Sequence, residues 1–300
     1  MSSSKWTAAD LPSLDGRTFV VTGSNSGLGL VTARELARHG ARVVMAVRDT
    51  AKGDQAAAGI AGPPEVRKLD LADLTSIREF AETWDGDIDV LINNAGLMAV
   101  PESRTKDGFE MQIGTNHLGH FALTNLLLPH VTDRVVTLAS VAHRIGKMNL
   151  HDLNWERTGY KRWPAYGQSK LANLLFTMEL ERRLAEAGSD VHAYAAHPGY
   201  AATNLQHRTG SAVQNAIMAV GNKVMAQSDE MGALPTLYAA TQSLPGGSYV
   251  GPDGFQEQRG HPTLVGRSGR ASDAGDARKL WDLSEELTGV SFPLEGAAAC

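Results

Sequence analysis

Cysteine is nearly absent: Cys300, the last residue, is the only one in 300. That excludes an intrachain disulfide framework, and it leaves no cysteine deep in the fold for a metal site or a nucleophile. No stretch approaches the roughly 18 consecutive apolar residues of a membrane-spanning helix. Met1-Ser2-Ser3-Ser4-Lys5-Trp6 has no apolar run of the kind a signal peptide needs. Export and stable membrane insertion are therefore not expected, and a reducing, cytoplasmic setting is. Net charge is −5, with no tract of Lys or Arg that would track a phosphate backbone, so nucleic acid is not an expected partner. No G-x-S-x-G elbow occurs, which argues against an α/β-hydrolase. No Pro/Gly/Ser-rich linker divides the chain, and low complexity is confined to Ala56-Ala57-Ala58 and Ala297-Ala298-Ala299.

What is present is an alternation of short apolar runs with longer amphipathic stretches, the pattern of repeated βα units. Phe19-Val20-Val21, Val43 to Val47, Val66 to Leu69, Val90-Leu91-Ile92, Val135 to Leu138 and Val191 to Tyr194 are the expected strands. Most are β-branched, as buried strands prefer. Helices are expected from about Leu28 to Arg38, Leu74 to Thr83, Asp107 to Pro129, Ala165 to Ala187 and Ser228 to Ala240. The chain reads as one α/β domain over residues 1–300, with a polar leader at about 1–14. An irregular region at about 200–227 is placed to cover an active site, and its Leu205 to Gln227 portion is expected to order when ligand binds.

Between the first strand and first helix stands Thr22-Gly23-Ser24-Asn25-Ser26-Gly27-Leu28-Gly29, with glycines spaced G-x-x-x-G-x-G. Such a loop lets backbone approach a pyrophosphate seated at the positive end of the following helix. Glycine accounts for 31 residues, so the spacing alone is weak; its position after the first strand gives it weight. The end of the second strand reads Ala46-Val47-Arg48-Asp49. A carboxylate closing that strand would bind a ribose 2′-hydroxyl and repel a 2′-phosphate; Arg48 would instead pair with the phosphate, which favours NADP(H) over NAD. Asp49 is the counter-argument, since it would neutralise Arg48. Asp70-Leu71 follows the third strand, where the carboxylate either reaches an adenine amino group or caps a helix. Asn93-Asn94-Ala95-Gly96 suits a close pass by a nucleoside, or simply a turn.

Of six tyrosines only Tyr166 is followed four residues later by a lysine, Lys170. On a helix the two share a face, and a neighbouring ammonium together with an oxidised nicotinamide favours the phenolate of a group whose pKa is ordinarily about 10. Ser140 ends the fifth strand, where its hydroxyl either binds a substrate oxygen or caps the next segment. The pairs His117/His120 and His143/His151 raise the question of a metal, but no carboxylate completes a ligand set and none is expected. Met98, His143, Trp163 and Tyr200 face either substrate or their own surroundings.

These motifs, with Asn116 and Pro198-Gly199, resemble in order and spacing those of the short-chain dehydrogenase/reductase family over roughly Asp15 to Thr203. The resemblance implies a Rossmann-like, doubly wound parallel sheet of about seven strands in three α/β/α layers, and a tetrad of Asn116, Ser140, Tyr166 and Lys170. It implies that Tyr166 exchanges a proton with the substrate oxygen, Ser140 holds that oxygen, and Lys170 lowers the tyrosine pKa while binding the nicotinamide ribose. Asn116 would anchor a water relaying protons from Lys170, and Pro198, Gly199 and Thr203 would contact the nicotinamide. Self-association as a homodimer or homotetramer through the helices bearing the tyrosine motif is also implied. Ser140-Val141-Ala142-His143, Ala165 to Asn173 and the long Ser140–Tyr166 spacing are most similar to the retinol-dehydrogenase-like and WW-domain-oxidoreductase-like branch. Neither a membrane anchor nor a WW domain is read here, so retinoid specificity does not carry over. The expected activity is hydride transfer between NADP(H) and a small-molecule carbonyl or alcohol. The alternatives are an NAD-preferring alcohol dehydrogenase and a catalytically silent cofactor sensor or scaffold.

Overall fold

A computed structural model describes residues 5–200 and 227–294. Eight strands form one sheet in the order β3-β2-β1-β4-β5-β6-β7-β8. They are β1 (Thr18–Thr22), β2 (Arg42–Val47), β3 (Glu65–Lys68), β4 (Ile88–Asn93), β5 (Val131–Leu138), β6 (His192–Ala196), β7 (Tyr249–Pro252) and β8 (Pro262–Leu264). The first seven pair in parallel and β8 adds an antiparallel edge. The order reverses between β1 and β4, which opens a crevice at their carboxyl ends where such sheets bind ligands.

Successive strand residues point to opposite faces, and both faces are covered. Phe19, Val21, Val43, Met45, Val90 and Ile92 pack with Val31 and Leu36 of α1 (Gly27–Arg38) and with Leu234 and Leu237 of a helix at Asp229–Thr241. Val20, Val44, Leu91 and Val135 pack on the other side with Ile77 of the helix Leu74–Glu82, Phe121 of Gly119–Leu127 and Phe176 of Arg162–Glu186. In chain order these helices are α1; α2 (Thr50–Ala57); α3 (Leu74–Glu82); α4 (Met111–Ile113), running through a π-helical turn Gly114–Leu118 into α5 (Gly119–Leu127); α6 (Arg162–Glu186); α7 (Asp229–Thr241); and α8 (Ala274–Thr288). The expected three-layer, doubly wound sheet is present, with one strand more than expected.

Several local expectations change. Helix formation begins at Met111 rather than Asp107, because Thr105–Gly108 turns back and Arg104 bridges to Glu110 in extended form; the Glu110 carboxylate then accepts the Gln112 and Ile113 N–H groups, both at 2.8 Å. The leader is less detached than its polarity suggested: Leu11 and Leu14 are buried and Trp6 meets Tyr238 edge-on at 5.2 Å. α8 was not anticipated. Its Trp281 stacks on Phe176 at 5.7 Å and meets Phe121 at 4.9 Å, so it closes the outer side of α5 and α6. From Ala165 to Thr177 every residue of α6 is buried.

Candidate active site

The carboxyl ends of β1 to β5 and the first turn of α1 enclose a cavity of about 420 Å³. The glycine loop forms one wall. Gly27 adopts a left-handed backbone (φ +55°), and a Cβ there would meet nothing within 4 Å, so its α-carbon faces open space. At Gly29 a Cβ would come within 2.5 Å of Asn94 Nδ2 and 2.7 Å of Gly23 O, so the helix packs against the neighbouring loop only without a side chain. Ser26, at the N-cap position of α1, places no side-chain oxygen on the first-turn N–H groups. An uncapped helix start beside an open cradle is the chemistry a pyrophosphate needs, and these residues fit a dinucleotide.

Arg48 lines the same cavity and is exposed. Asp49 does not neutralise it: the Asp49 carboxylate caps α2 through the Lys52 N–H at 3.2 Å and pairs with Lys52 Nζ at 3.1 Å. Those hydrogen bonds hold the Asp49 carboxyl below the usual carboxylate range. Among the described residues no carboxylate pairs with Arg48. Asp70 also faces the cavity. Its Oδ1 accepts the Ala72 N–H at 3.0 Å, and Asp73 rather than Asp70 caps α3, which removes the helix-cap alternative.

Tyr166 and Lys170 reach the opposite wall from α6, one turn apart. Lys170 Nζ donates to Leu138 O at 3.0 Å and lies 5.9 Å from the Tyr166 ring centre. Burial pushes the Lys170 pKa down to about 8. Burial also raises the Tyr166 pKa, and a hydrogen bond with the Ser140 side chain only partly offsets this. The phenol is therefore protonated at neutral pH. Ser140 takes the capping role locally: Oγ accepts the Ala142 N–H at 3.2 Å, capping the turn Val141–Arg144, and the same side chain lies within hydrogen-bonding reach of Tyr166.

Asn116 sits in the π-helical turn, an irregularity frequent at functional sites. Its side chain clamps the loop after β4: Oδ1 accepts the Leu97 N–H at 2.7 Å, and Nδ2 donates to Leu97 O and to Ser169 Oγ, each at 2.9 Å. A Cβ on Gly96 would fall 3.3 Å from Asn116 Oδ1 and 3.4 Å from Lys170 Nζ, so the fourth-strand motif, the π turn and the tyrosine helix meet here.

Gly23, Asn25, Ser26, Gly27, Leu28, Gly29, Asn94, Ala95, Gly96, Leu71 and Pro198 all line the cavity. Ser24 and Asn93 do not, and of the tetrad Tyr166 and Lys170 line it while Asn116 and Ser140 stand behind the wall. Ser24 Oγ donates to Val21 O at 2.9 Å and Asn93 Nδ2 to Thr124 Oγ1 at 2.8 Å, both as buried braces. Gly199 donates its N–H to His197 Nδ1 at 3.2 Å, away from the wall. Thr203 lies outside the described residues, as does residue range 201–226 of the expected irregular region; its two ends meet where the Gln227 N–H donates to Tyr200 O at 2.9 Å. His117 bonds Ser284 of α8 and His120 bonds Thr22, so the pair diverges. Among the described residues no group of three or more His, Cys, Asp or Glu is placed to hold a metal, and no helix is long and apolar enough to cross a membrane.

Apart from Thr115, the lining residues outside the motifs are apolar. Leu97, Met98 and Val100 line the cavity beside Tyr166; only Met98 was singled out. Ala99 between them has φ +49°, a conformation that costs a non-glycine residue roughly 1 kcal/mol or more. Gln112 holds it, accepting the Ala99 N–H at 2.7 Å and donating to Tyr160 Oη at 2.8 Å. No local pattern announces this, because Tyr160 comes from the long segment preceding α6.

A switch-point crevice with a phosphate cradle on one wall and a buried Tyr/Lys pair on the other defines a nicotinamide-dependent oxidoreductase of the Rossmann type. The comparisons agree: the short chain dehydrogenase family profile matches residues 17–214, and the chain belongs to that family, whose members bind NAD(P) and act on alcohol or carbonyl groups. It is 42% identical over 296 residues to human retinol dehydrogenase 13, covering 93% of this chain and 87% of that protein. It is also 42% identical over 297 residues to mouse retinol dehydrogenase 12, at 93% and 88% coverage. Among solved structures, an uncharacterised protein from Mycobacterium Paratuberculosis is 59% identical, with a TM-score of 0.85 over 97% of this chain and 100% of that one.

Proposed function

We propose that the protein is an NADP(H)-dependent reductase of apolar carbonyl compounds, with Tyr166 as its acid. One observation carries the reading: Arg48, unpaired among the described residues, and the protonated Tyr166 stand on opposite walls of one cavity. The cradle of Gly27 and the α1 start takes a pyrophosphate, and Arg48 takes a 2′-phosphate at the ribose.

The bound nucleotide supplies the hydride. The chain's own residues do the rest. Ser140 Oγ and Tyr166 Oη converge on the carbonyl oxygen; Tyr166 delivers its proton there as charge develops, and the Ser140 hydroxyl holds the geometry. Lys170, charged below about pH 8, stabilises the tyrosinate left behind and reaches the nicotinamide ribose. Asn116 fixes Leu97, and with it the apolar wall of Met98 and Val100. That wall selects for an apolar body behind the carbonyl. The names of the relatives make retinal one such compound.

The test is a carbonyl panel of all-trans-retinal, nonanal and a 3-ketosteroid, followed by NADPH absorbance and by transfer of deuterium from C4-deuterated NADPH to the product. Deuterated alcohol from at least one member is the expected result. NADPH binding without transfer to any carbonyl would instead favour the silent-sensor reading.

A further inference from the structure

The tetrad is not held by its own side chains alone. Two buried histidines each grip the main-chain carbonyl of a tetrad residue. His120 Nδ1 lies 3.0 Å from Asn116 O, and His143 Nδ1 lies 2.7 Å from Ser140 O. Each opposite nitrogen meets a different segment: His120 Nε2 is 2.9 Å from Thr22 Oγ1, and His143 Nε2 is 3.2 Å from the Ser268 N–H.

These partners dictate the proton positions. A carbonyl only accepts, so both Nδ1 atoms carry hydrogen. The Ser268 N–H only donates, so His143 Nε2 is bare. Thr22 Oγ1 already accepts the Asn94 and Ala95 N–H groups at 2.9 Å each; of the two acceptors within reach of its own proton, His120 Nε2 at 2.9 Å is nearer than Ile92 O at 3.4 Å. Each ring thus has one tautomer and one orientation. Burial supports this, lowering the His120 pKa to about 4 and the His143 pKa below its ordinary value, so neither ring takes the second proton that would break its clamp.

We infer that His120 and His143 are positioning residues, two neutral histidine clamps that tie Asn116 to the dinucleotide loop and Ser140 to the segment before α8. His120 couples the π turn to Thr22, and through it to the loop Asn94-Ala95-Gly96 that lines the cavity. His143 holds the strand end from which the Ser140 hydroxyl is aimed at Tyr166, and anchors it to Ser268, which caps the turn Gly269–Ser272. The inference rests on the proposed roles of the tetrad.

The two halves of each clamp are separable, because an asparagine amide reaches about as far as Nδ1 and a glutamine amide about as far as Nε2. His143→Asn keeps the bond to Ser140 O and should retain turnover within about threefold, whereas His143→Gln keeps only Ser268 and should lower kcat about a hundredfold, with NADPH affinity unchanged. His120→Gln keeps the Thr22 side, so NADPH affinity holds while kcat falls; His120→Asn keeps Asn116 and loosens the dinucleotide loop, raising the NADPH Kd about tenfold. NADPH binding is read by quenching of tryptophan fluorescence, kcat with the fastest carbonyl of the panel above, and folding by Tm. Asn and Gln variants that behave alike at either position, or losses that track Tm alone, overturn the clamps. If Tyr166→Phe turns over as fast as the native chain, the proposed function fails and the clamps fall with it. If Tyr166→Phe is dead and the paired variants are alike, only the clamps fail.

Discussion

Replacing Lys170 with methionine should stabilise the protein while abolishing turnover. Lys170 is buried, and desolvation is the sole cause of the fall in its pKa from 10.5 to about 8; among the described residues no carboxylate pairs with it. The lysine therefore holds its proton less tightly in the folded chain than in the unfolded one. Its burial cost is complete below about pH 8 and fades as the pH rises toward the unfolded value. At neutral pH that cost is about 3 kcal/mol. Removing the ammonium leaves no orphan, because Leu138 O still accepts from Asn173 Nδ2 at 2.9 Å. Urea unfolding of both chains without cofactor should show the variant more stable by about 3 kcal/mol at pH 7 and by less than about half of that at pH 9.5. Any offset from the change of side chain itself is independent of pH and cancels between the two conditions. A variant of equal or lower stability at pH 7, or a gap that does not narrow with pH, would refute the reasoning.

Arg48→Ala should weaken NADPH by about tenfold or more while leaving NADH binding nearly unchanged, since only the former carries a phosphate for the guanidinium; equal losses in paired titrations would remove Arg48 from cofactor choice. Trp281→Ala should cost about 3–5 kcal/mol in urea unfolding, because the ring is stacked on Phe176, meets Phe121 and carries the Arg183 guanidinium 4.6 Å above it. A loss under about 1 kcal/mol would mean that α8 is not part of the packed core. By contrast, Arg42→Ala breaks only the exposed pair with Glu65 and should shift stability by less than about 1 kcal/mol.

Much of this molecule was legible locally. β-branched runs located β1, β2, β4 and β5, since burial on both faces of a parallel sheet demands them, whereas β3 and β6 stood out only by their place in the alternation of strands and helices. The glycine loop and the Tyr166/Lys170 pair were readable because each is a short spacing whose geometry is set within one element. What escaped depends on contacts distant in sequence. β7 and β8 are short, carry Pro252 and Pro262, and are strands because β6 offers an edge. α8 is weakly apolar and owes its place to Phe121 and Phe176 more than 100 residues earlier. Ser24 and Asn93 fit the motif, yet their side chains turn inward to brace backbone and strand. The far ends of the His120 and His143 clamps rest on partners, Thr22 and Ser268, that no spacing predicts.

The central claim is that Tyr166 supplies the proton while the rest of the cavity binds the nucleotide. Tyr166→Phe keeps the ring and its burial and deletes only the hydroxyl, so the decisive measurement is kcat and NADPH Kd on that one variant. The account predicts NADPH affinity within about threefold of the native chain and turnover reduced about a thousandfold or more. Native turnover by Tyr166→Phe would contradict it.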